Sequence, residues 1–230
     1  MADAQKKEIV TIFANKKILG ANAEYARKVR EILKVKQVFC INLISSPGSG
    51  KTTLLVETLQ KLRGKINCAV IEGDQQTNND AIRIAETGVP VVQINTMRSC
   101  HLNANQILEA LKSIPLDEID LLFIENVGNL VCPADVNLGE DEKIVLLSVT
   151  EGEDKPQKYP LAFSASDALI ITKIDLLPHL RFDLESCVSY ARSVKKDIRI
   201  IKTSCFSTDG LSEWVKYLES KLLCDSYKNL

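Results

Sequence analysis

One stretch of the chain limits its fold more than any other. The apolar run Val38–Ile44 leads through SSPGSGKTT into a segment with leucines at helical spacing. A strand, a glycine-rich loop and a helix in this order form the usual cradle for the phosphates of a nucleotide. Ser45 replaces the first glycine of the general pattern, whereas Gly48 and Gly50 keep the backbone able to turn its N–H groups inward. The stretch therefore predicts a nucleotide site rather than a chance turn rich in glycine and serine.

Each part of this loop has a chemical task at a bound nucleotide. We expect the Lys51 side chain to reach the β- and γ-phosphates and the Thr52 hydroxyl to ligate Mg²⁺. The other loop residues offer backbone and side-chain donors at the start of a helix. The predicted phosphate contacts in the loop are Ser46, Gly48, Ser49, Gly50, Lys51, Thr52 and Thr53.

Two acidic residues at predicted strand ends belong to the same pocket. Asp74 follows the apolar run Ile66–Ile71, and Glu125 ends the run DLLFIE. Carboxylates beside a phosphate-binding loop commonly hold Mg²⁺ or its waters, so Asp74, Glu125 and Thr52 are predicted magnesium ligands. Lys51, Asp74 and Glu125 are also the predicted catalytic residues. The alternatives are a solvated strand end or a helix cap, and Asp74 in particular could cap the next helix.

Glu125 also opens a short motif, Glu125-x-x-Gly128. This is a variant of the Asp-x-x-Gly switch, whose glycine can donate a backbone N–H to the γ-phosphate and can move when that group leaves. We therefore predict that Gly128 contacts the nucleotide. No strong general base is evident near the γ-phosphate, so the expected hydrolysis is slow, as in switches rather than motors.

A second motif, T-K-I-D, indicates which base the nucleotide carries. It consists of Thr172, Lys173, Ile174 and Asp175. Guanine-selective sites use N-K-x-D, in which the Asp accepts from N1–H and the exocyclic amine while the Lys stem covers the ring. Adenine lacks that donor pair, so the motif favours GTP, although Asp175 could instead cap the next helix. The loop after the last predicted strand is expected to complete the base site with Ser204 and Cys205.

Cysteine and histidine occur together at one point of a chain that has only two histidines. Cys100 and His101 are adjacent, and Cys132 follows four residues after Gly128. Thiolates and imidazoles are ligands for Zn²⁺ and suit Ni²⁺ as well. Both segments leave predicted strand ends on the ligand-binding side of an α/β sheet, which favours a metal site over isolated core cysteines. Three ligands do not complete a tetrahedron, so a water or a second chain must contribute.

Short apolar runs alternate with amphipathic stretches along most of the chain. This alternation predicts an α/β fold, a mainly parallel sheet with helices on both faces, over residues 37–230. Together with the phosphate loop and T-K-I-D, this range is the predicted P-loop GTPase domain. Helices are expected between its strands, one of them near Gln157–Ala165. Residues 1–36 are predicted to form an N-terminal helical extension. Its apolar positions at helical spacing are Ile9, Ile12, Phe13, Ala26, Val29, Ile32 and Leu33.

The composition excludes several classes of function. With 29 lysines and arginines against 30 acidic residues, the chain lacks the basic excess typical of nucleic-acid-binding proteins. No apolar run approaches the roughly 20 residues of a membrane span, and no secretory signal is visible. We therefore expect a cytoplasmic protein with neither a nucleic-acid nor a membrane partner. Seven cysteines without a C-x-x-C motif predict free thiols.

These segments closely resemble the nickel-incorporation GTPase family of hydrogenase maturation, which is related to the urease accessory GTPase. The resemblance covers residues 38–180, with SSPGSGKTTLL, EGDQQTNNDA, CHL, LLFIENVGNLVCPA, LLSVTEGEDKPQKYP and TKIDLLP as the matching segments. It implies a dimeric P-loop GTPase that uses GTP, Mg²⁺ and either Ni²⁺ or Zn²⁺. It also implies that Cys100, His101 and Cys132 bind nickel or zinc at the dimer interface.

Only three residues separate Gly128 from Cys132, which leads to a hypothesis for how these parts act together. GTP and Mg²⁺ would order Glu125–Gly128 and draw Cys132 towards the other ligands, and hydrolysis would release the metal. The partners that the resemblance implies are a second copy of the chain, the nickel/zinc metallochaperone of hydrogenase maturation and the hydrogenase large subunit. A lysine of one subunit would contact the nucleotide of the other, which points to Lys155 or, next, Lys158. The alternative for both lysines is a solvated loop charge.

The sequence leaves two other functions open. A P-loop kinase for a small molecule would share the phosphate loop but would gain nothing from T-K-I-D or from the Cys-His-Cys set. A nucleotide-gated adaptor would use its cysteines structurally and would take up neither Ni²⁺ nor Zn²⁺.

Overall fold

The computed structural model describes residues 10–13, 22–75, 77–97, 99–207 and 210–223. Its strands are β1 (Val10–Phe13), β2 (Phe39–Ser45), β3 (Cys68–Asp74), β4 (Val91–Asn95), β5 (Leu121–Glu125), β6 (Glu142–Ser148), β7 (Ala168–Thr172) and β8 (Arg199–Lys202). Its α-helices are α1 (Asn22–Lys36), α2 (Lys51–Leu62), α3 (Asn79–Ala85), α4 (Ala104–Leu111), α5 (Lys155–Lys158), α6 (Pro160–Ser164), α7 (Leu184–Val194) and α8 (Ser212–Leu223). Two 3₁₀ helices cover Leu116–Glu118 and Ile174–His179.

The strands form one sheet in the order β1-β4-β3-β5-β2-β6-β7-β8, and every neighbouring pair is parallel. Because all strands run the same way, their carboxyl ends meet at one edge of the sheet, and the loops that leave them lie side by side. This arrangement confirms the predicted fold class. None of the described helices is both long and apolar enough to cross a membrane.

Helices cover both faces of this sheet and bury its apolar side chains. On one face, α2, α3 and α8 pack against alternate strand residues such as Ile41, Val70 and Phe123. On the other face, α1 and α4 cover one half, and α6 with α7 covers the other half. The strands are therefore apolar on both sides, which explains why they appear in the sequence as continuous runs rather than alternating ones.

The predicted N-terminal helix is wrong for residues 10–13. Val10–Phe13 is a strand at the edge of the sheet, where Ile12 pairs with Ile94 and Phe13 pairs with Asn95 of β4. The β-branched run Val-Thr-Ile favours an extended backbone over a helix. Ile9 lies outside the described residues, and a boundary at residue 36 stays a prediction.

The second half of the N-terminal segment is helical as expected. Helix α1 covers Asn22–Lys36, and its Ala26, Val29 and Leu33 are buried. Val29 and Leu33 pack in the same cluster as residues of β2, β3 and β5, so this helix contributes to the core of the sheet.

The single helix expected near Gln157–Ala165 is two short helices instead. Helix α5 ends at Lys158 and α6 begins at Pro160. The intervening Tyr159 has φ −126° and ψ 53°, outside the helical region. A proline disfavours helical geometry in the residue before it and lacks the N–H that a continuous helix needs, so the break falls at this position.

The N-cap of α4 gives a first prediction, because the cap residue Asn103 lies two residues after His101. The Asn103 side chain accepts from Gln106 N at 3.2 Å, and Gln106 Oε1 accepts from Asn103 N at 2.8 Å, which is a complete capping box. We expect Asn103→Ala to lower the free energy of unfolding by about 1 kcal/mol in urea titrations. Asn105→Ala is the matched control, since Asn105 makes no side-chain hydrogen bond within the described residues. Equal losses in the two variants would contradict the capping role.

Candidate functional site

The phosphate-binding loop runs from the end of β2 to the start of α2. Gly48 has φ +76° and Gly50 has φ +92°, left-handed conformations that favour glycine. Lys51 and Thr52 form the first turn of α2 and are buried. Ser45, which replaces the expected glycine, is fully buried and its hydroxyl accepts from Lys51 Nζ at 3.0 Å. Serine in place of glycine at position 45 therefore gives the Lys51 ammonium a hydrogen-bond partner at the end of β2.

The environment of Lys51 suits an anion. Burial lowers the pKa of the Lys51 ammonium, and the carboxylates of Glu125, Asp80, Glu72 and Glu151 act in the opposite direction. A phosphate group placed against the loop would supply further negative charge at this point, where the N–H groups at the start of α2 also point.

A buried carboxylate pair lies next to Thr52. The Thr52 hydroxyl donates to Glu125 Oε1 at 2.7 Å, and Glu125 pairs in register with Glu72 on the neighbouring strand. Both acids are almost fully buried, and within the described part of the chain each has one oxygen, Oε2, without a hydrogen-bond partner. Burial and the Glu125 charge raise the pKa of Glu72 to about 9, and burial also raises the pKa of Glu125.

These orphaned oxygens fit a divalent cation. Mg²⁺ prefers carboxylate and hydroxyl oxygens, and a cation here would compensate for the burial of two acids. The sequence predicted Glu125 and Thr52 for this role but missed Glu72. An acid in the middle of the otherwise apolar run CAVIEGD was the available indication.

Asp74 has a second task besides the predicted one. Its Oδ2 accepts from the Thr77 amide and from the Thr77 hydroxyl, both at 2.9 Å, so it closes the turn after β3. The N-cap position of α3 belongs to Asn78, which rules out Asp74 as the cap of that helix. Its role towards magnesium stays a prediction.

Residues 126–129, which directly follow β5 and are called the switch segment, lie close to the phosphate loop. A Cβ built on Gly128 would lie 3.1 Å from Pro47 Cα and 3.2 Å from Pro47 N. Next to it, Asn129 forms an antiparallel bridge with Ser45. A side chain at position 128 would push the two segments apart, which explains the glycine in physical terms.

The residues predicted for the base site lie together at the ends of β7 and β8. Asp175 Oδ1 accepts from the Ser204 hydroxyl at 2.6 Å. Lys173 adopts a left-handed backbone with φ +59°, and its Nζ donates to Gly48 O at 2.8 Å. The Thr172 hydroxyl donates to Ser49 O at 2.7 Å, so the threonine in place of Asn anchors the phosphate loop. Asp175 does not occupy the N-cap of the following 3₁₀ helix, where Lys173 lies.

Two other residues of the predicted nucleotide site have side chains engaged elsewhere. The Thr53 hydroxyl accepts from Arg83 of α3 at 3.2 Å. Cys205 is partly buried against the core, and burial raises the pKa of its thiol to about 11. Their backbone groups remain the candidates for contact with a nucleotide, and both roles stay predictions.

Cys100, His101 and Cys132 form a cluster of three ligand atoms, all within 4.8 Å of one another. Cys100 Sγ lies 3.6 Å from His101 Nδ1, and all three side chains are partly exposed. Three other cysteines, Cys40, Cys68 and Cys187, are buried as expected, and Cys224 lies outside the described residues. The structure therefore brings together the three residues predicted to bind metal.

Asn126 connects the switch segment with this cluster. Its Oδ1 accepts from Leu102 N at 3.2 Å and from Val127 N at 3.0 Å, and its Nδ2 donates to Asn42 Oδ1 at 3.2 Å. Leu102 directly follows His101. Nearby, Asn129 Nδ2 donates to Cys100 O at 3.5 Å. The sequence did not predict this connection, because neither asparagine belongs to a known chemical motif.

Glu151 and Lys155 brace the phosphate loop from the segment after β6. Glu151 Oε1 accepts from the Ser49 hydroxyl at 2.7 Å and from Ser148 N at 3.1 Å. Lys155 Nζ lies 3.2 Å from Glu151 Oε2 and donates to Ser46 Oγ at 3.3 Å. Lys155 thus reaches the phosphate loop of its own chain, whereas exposed Lys158 pairs with Asp154 at 2.6 Å. Sequence reasoning missed Glu151.

The fold and this site define a class of protein: a P-loop nucleotide-binding protein with a cluster of two cysteines and a histidine beside its switch segment. Residues 39–202 match the family described as CobW/HypB/UreG, nucleotide-binding domain. Hydrogenase maturation factor HypB of Escherichia coli (strain K12) is 52% identical over 204 residues, covering 89% of this chain and 70% of that protein. HypB of Azotobacter vinelandii is 54% identical over 202 residues, covering 88% and 67%.

Solved structures agree with these sequence matches. The crystal structure of HypB from Helicobacter pylori in complex with nickel has a TM-score of 0.84 and 39% identity, covering 88% of this chain and 95% of that one. HypB from Archaeoglobus fulgidus has a TM-score of 0.83 and 34% identity, covering 89% and 100%. The chain belongs to the HypB hydrogenase maturation factors of the CobW/HypB/UreG family.

The Glu151 brace gives the second prediction. Burial acts to raise the pKa of the Glu151 carboxyl. Hydrogen bonds outweigh this effect and hold the pKa below its ordinary value; the donors are Ser49, Ser46, Ser148 and Lys155. Because the ionised carboxylate accepts several hydrogen bonds, we expect Glu151→Ala to lower the free energy of unfolding at pH 7 by about 2 kcal/mol. Urea titration of the nucleotide-free protein measures the loss.

Two further variants make this test specific. Glu151→Gln keeps an acceptor oxygen but loses the charge, so its loss should be intermediate. Glu153→Ala should change little, because Glu153 forms no hydrogen bond or ion pair within the described residues. Equal stability of Glu151→Ala and Glu153→Ala would show that the brace contributes nothing.

Proposed function

We propose that this protein is a GTP-hydrolysing metallochaperone whose nucleotide state controls its affinity for nickel during maturation of nickel–iron hydrogenase. The proposal depends on the hydrogen bonds of the Asn126 carboxamide. Its oxygen accepts from the backbone of the switch segment and from the backbone of the proposed metal-binding loop, residues 100–102. Support for the ion comes from a relative, HypB from Helicobacter pylori, whose crystal structure is in complex with nickel. Zn²⁺ suits the same ligands, so it is the competing ion.

The nucleotide part of the proposal assigns a task to each residue of the site. Lys51 and the N–H groups of the loop bind the phosphates, and Asp175 with Lys173 selects guanine. Thr52, Glu125 and Asp74, together with Glu72 beside Glu125, are the proposed ligands of Mg²⁺, which when bound would supply positive charge next to the transferred phosphate. The loop residues Ser46, Gly48, Ser49, Gly50 and Thr53 contact phosphates, and Gly128, Lys155, Ser204 and Cys205 complete the nucleotide contacts.

Slow hydrolysis follows from how the acids at this site are engaged. Glu125 accepts a hydrogen bond from Thr52, and Glu151 accepts one from Ser49. Neither carboxylate is a free base able to accept a proton from an attacking water, which suits a switch that changes state rarely.

The coupling part of the proposal begins at Gly128. A γ-phosphate that accepts its backbone N–H would hold the switch segment against the loop, where Gly128 already touches Pro47. Asn126 lies two residues before it and holds Leu102 N, while Asn129 holds Cys100 O. Loss of the γ-phosphate would release this segment, alter the distance from Cys132 to Cys100 and His101, and so lower metal affinity.

The metal part of the proposal requires a second copy of the chain. Cys100, His101 and Cys132 offer three ligands and are partly exposed, so a metal ion bound to them would have an open face. A homodimer with the cluster at its interface would close that face with residues of the partner. Lys155, or next Lys158, would then lie near the partner's nucleotide. The proposed recipients are the nickel/zinc metallochaperone of the same maturation system and the hydrogenase large subunit.

The decisive experiment measures nickel affinity in two nucleotide states. We expect Ni²⁺ to bind about tenfold or more tightly with a non-hydrolysable GTP analogue than with GDP, within the usual range of coupling between two sites. Titrations followed by thiolate-to-nickel charge-transfer absorbance measure both affinities. Equal affinities in the two states would remove the coupling, and a protein that takes up no metal would favour the adaptor function.

The Asn126 link can be tested within the same titration. Asn129→Ala removes the contact to Cys100 O, and Asn126→Ala removes the contact to Leu102 N, while neither removes a metal ligand. We expect both variants to bring the ratio of nickel affinity with the GTP analogue to nickel affinity with GDP towards one. The effect of Asn126→Ala should be the larger, because the Asn126 side chain is buried. Asn105→Ala should leave the ratio unchanged. An unchanged ratio in folded Asn126→Ala would mean that coupling takes another route.

The choice of base gives a separate prediction. Asp175 can accept from the guanine N1–H and exocyclic amine, whereas an amide at this position can donate to the 2-oxo group of xanthine. We expect Asp175→Asn to weaken GTP binding about tenfold or more and to strengthen XTP binding. Competition titrations with a fluorescent guanine nucleotide measure both changes. If ATP bound more tightly than GTP to the unaltered protein, the kinase alternative would be favoured.

A further inference from the structure

Phe206 is exposed to an unusual degree for a large aromatic side chain. Its exposed fraction is 83%, the highest of the large apolar side chains that are exposed in the described part of the chain. It lies in the loop that follows β8, two residues after Ser204. A single exposed apolar residue is unremarkable by itself, so its significance depends on where the loop holds it.

The loop places Phe206 beside Asp175. The Phe206 amide donates to Ser204 Oγ at 3.1 Å, and the same hydroxyl donates to Asp175 Oδ1 at 2.6 Å. One serine therefore fixes both the carboxylate that is proposed to accept from guanine and the backbone that carries the phenyl ring. Phe206 is therefore linked to the base-selecting carboxylate by two hydrogen bonds that share the Ser204 hydroxyl.

The direction of the loop is also fixed. Cys205 packs against the core, while its neighbour Phe206 points to solvent. Ser204 N donates to Gly210 O at 3.2 Å, and a Cβ on Gly210 would lie 2.0 Å from Ser204 O. The chain passes so close to itself here that only glycine fits at position 210, and this holds the Ser204–Phe206 segment in place.

The Lys173 side chain extends from the neighbouring loop towards the phosphate loop. It precedes Asp175 on the connection after β7, and its stem passes within 3.6 Å of the Cβ position of Gly50 before Nζ reaches Gly48 O. Strands β7 and β8 are neighbours, with Ile171 paired to Lys202, so the loops that follow them flank the same space. A base that bonds to Asp175 would therefore be flanked by the two loops that carry Lys173 and Phe206.

We propose that Phe206 is a nucleotide-binding residue that stacks on the face of the guanine base opposite Lys173. This inference rests on the proposed guanine site. Stacking on an aromatic ring stabilises any base, since every base has a π-face, whereas the Asp175 carboxylate distinguishes one base from another. Phe206 therefore sets how tightly a nucleotide is held, and Asp175 sets which one. The nucleotide would also cover an aromatic ring that is otherwise left in water.

The first test is an affinity measurement. We expect Phe206→Ser to weaken binding of GDP and of a GTP analogue by about tenfold or more each, the range seen when base-stacking aromatic residues are removed. The ratio of GTP to XTP affinity should stay that of the unaltered protein, because stacking does not read the base edge. Phe206→Trp should bind at least as tightly as the unaltered protein. Unchanged affinity in Phe206→Ser would overturn the stacking role, and so would a changed ratio of GTP to XTP affinity.

The second test reports the stack directly through fluorescence. The chain has one tryptophan, Trp214, which is buried and donates to Thr58 Oγ1 at 2.9 Å, so its emission gives a constant background. We expect the emission of Phe206→Trp to be quenched on addition of GDP. Val35→Trp is the control, since Val35 is 79% exposed at the end of α1. The chain enters the amino end of β2 directly after this helix, whereas the candidate site lies at the carboxyl ends of the strands. The emission of Val35→Trp should not respond.

The outcomes separate this inference from the function on which it rests. If Phe206→Trp binds GDP without any change in emission, the stack is wrong and the guanine site stands. If the unaltered protein binds no guanine nucleotide, the proposed function fails and the stack fails with it. Quenching in both Phe206→Trp and Val35→Trp would indicate a general change in the protein and would also overturn the stack.

Discussion

The parallel pairing of β5 with both β2 and β3 is the constraint on which the candidate site depends. Leu43 of β2 and Glu72 of β3 both pair with Glu125, so the switch segment emerges directly between the phosphate loop and the turn after β3. The next residue, Asn126, is then close enough to Asn42 and Leu102 to bond to both. Because all three strands are buried on both faces, no strand can slide without exposing apolar side chains on two sides.

This arrangement brings together groups that oppose folding. Glu72 and Glu125 are 2% and 3% exposed, lie on adjacent strands and each leave an oxygen without a partner in the described structure. Burial of such groups destabilises a fold unless a cation or a proton neutralises them. Burial and the Glu125 charge raise the pKa of Glu72 to about 9, which favours its protonated form in the metal-free chain. The surrounding apolar clusters must therefore supply enough stability to keep two acids in this buried position.

Sequence reasoning succeeded where a residue's neighbours determine its chemistry. The phosphate loop and T-K-I-D are local motifs, and the strands after which they occur were visible as apolar runs. Glu72, Asn126 and Glu151 were missed because their partners are distant in sequence and become neighbours only through the strand order. The β1 strand was missed for a related reason, since its partner β4 lies about 80 residues away and short apolar runs fit either periodicity. Cys100, His101 and Cys132 were found because the strand ends around them were predicted correctly.

Because the Asn126 carboxamide is buried, the proposed metal-binding loop cannot easily shift by small steps when the switch segment moves. The three hydrogen bonds of this carboxamide reach β2, the switch segment and the residue after His101, and the side chain is 2% exposed. A partial shift would leave buried donors and acceptors without partners, which costs more than either fully bonded arrangement. In the proposed coupling, motion at Gly128 would therefore be passed on either as a complete exchange of partners or not at all. The proposed carrier would hold a metal ion in one nucleotide state and release it in the other, which requires two discrete arrangements of the kind that a bonded, buried amide between the two sites allows.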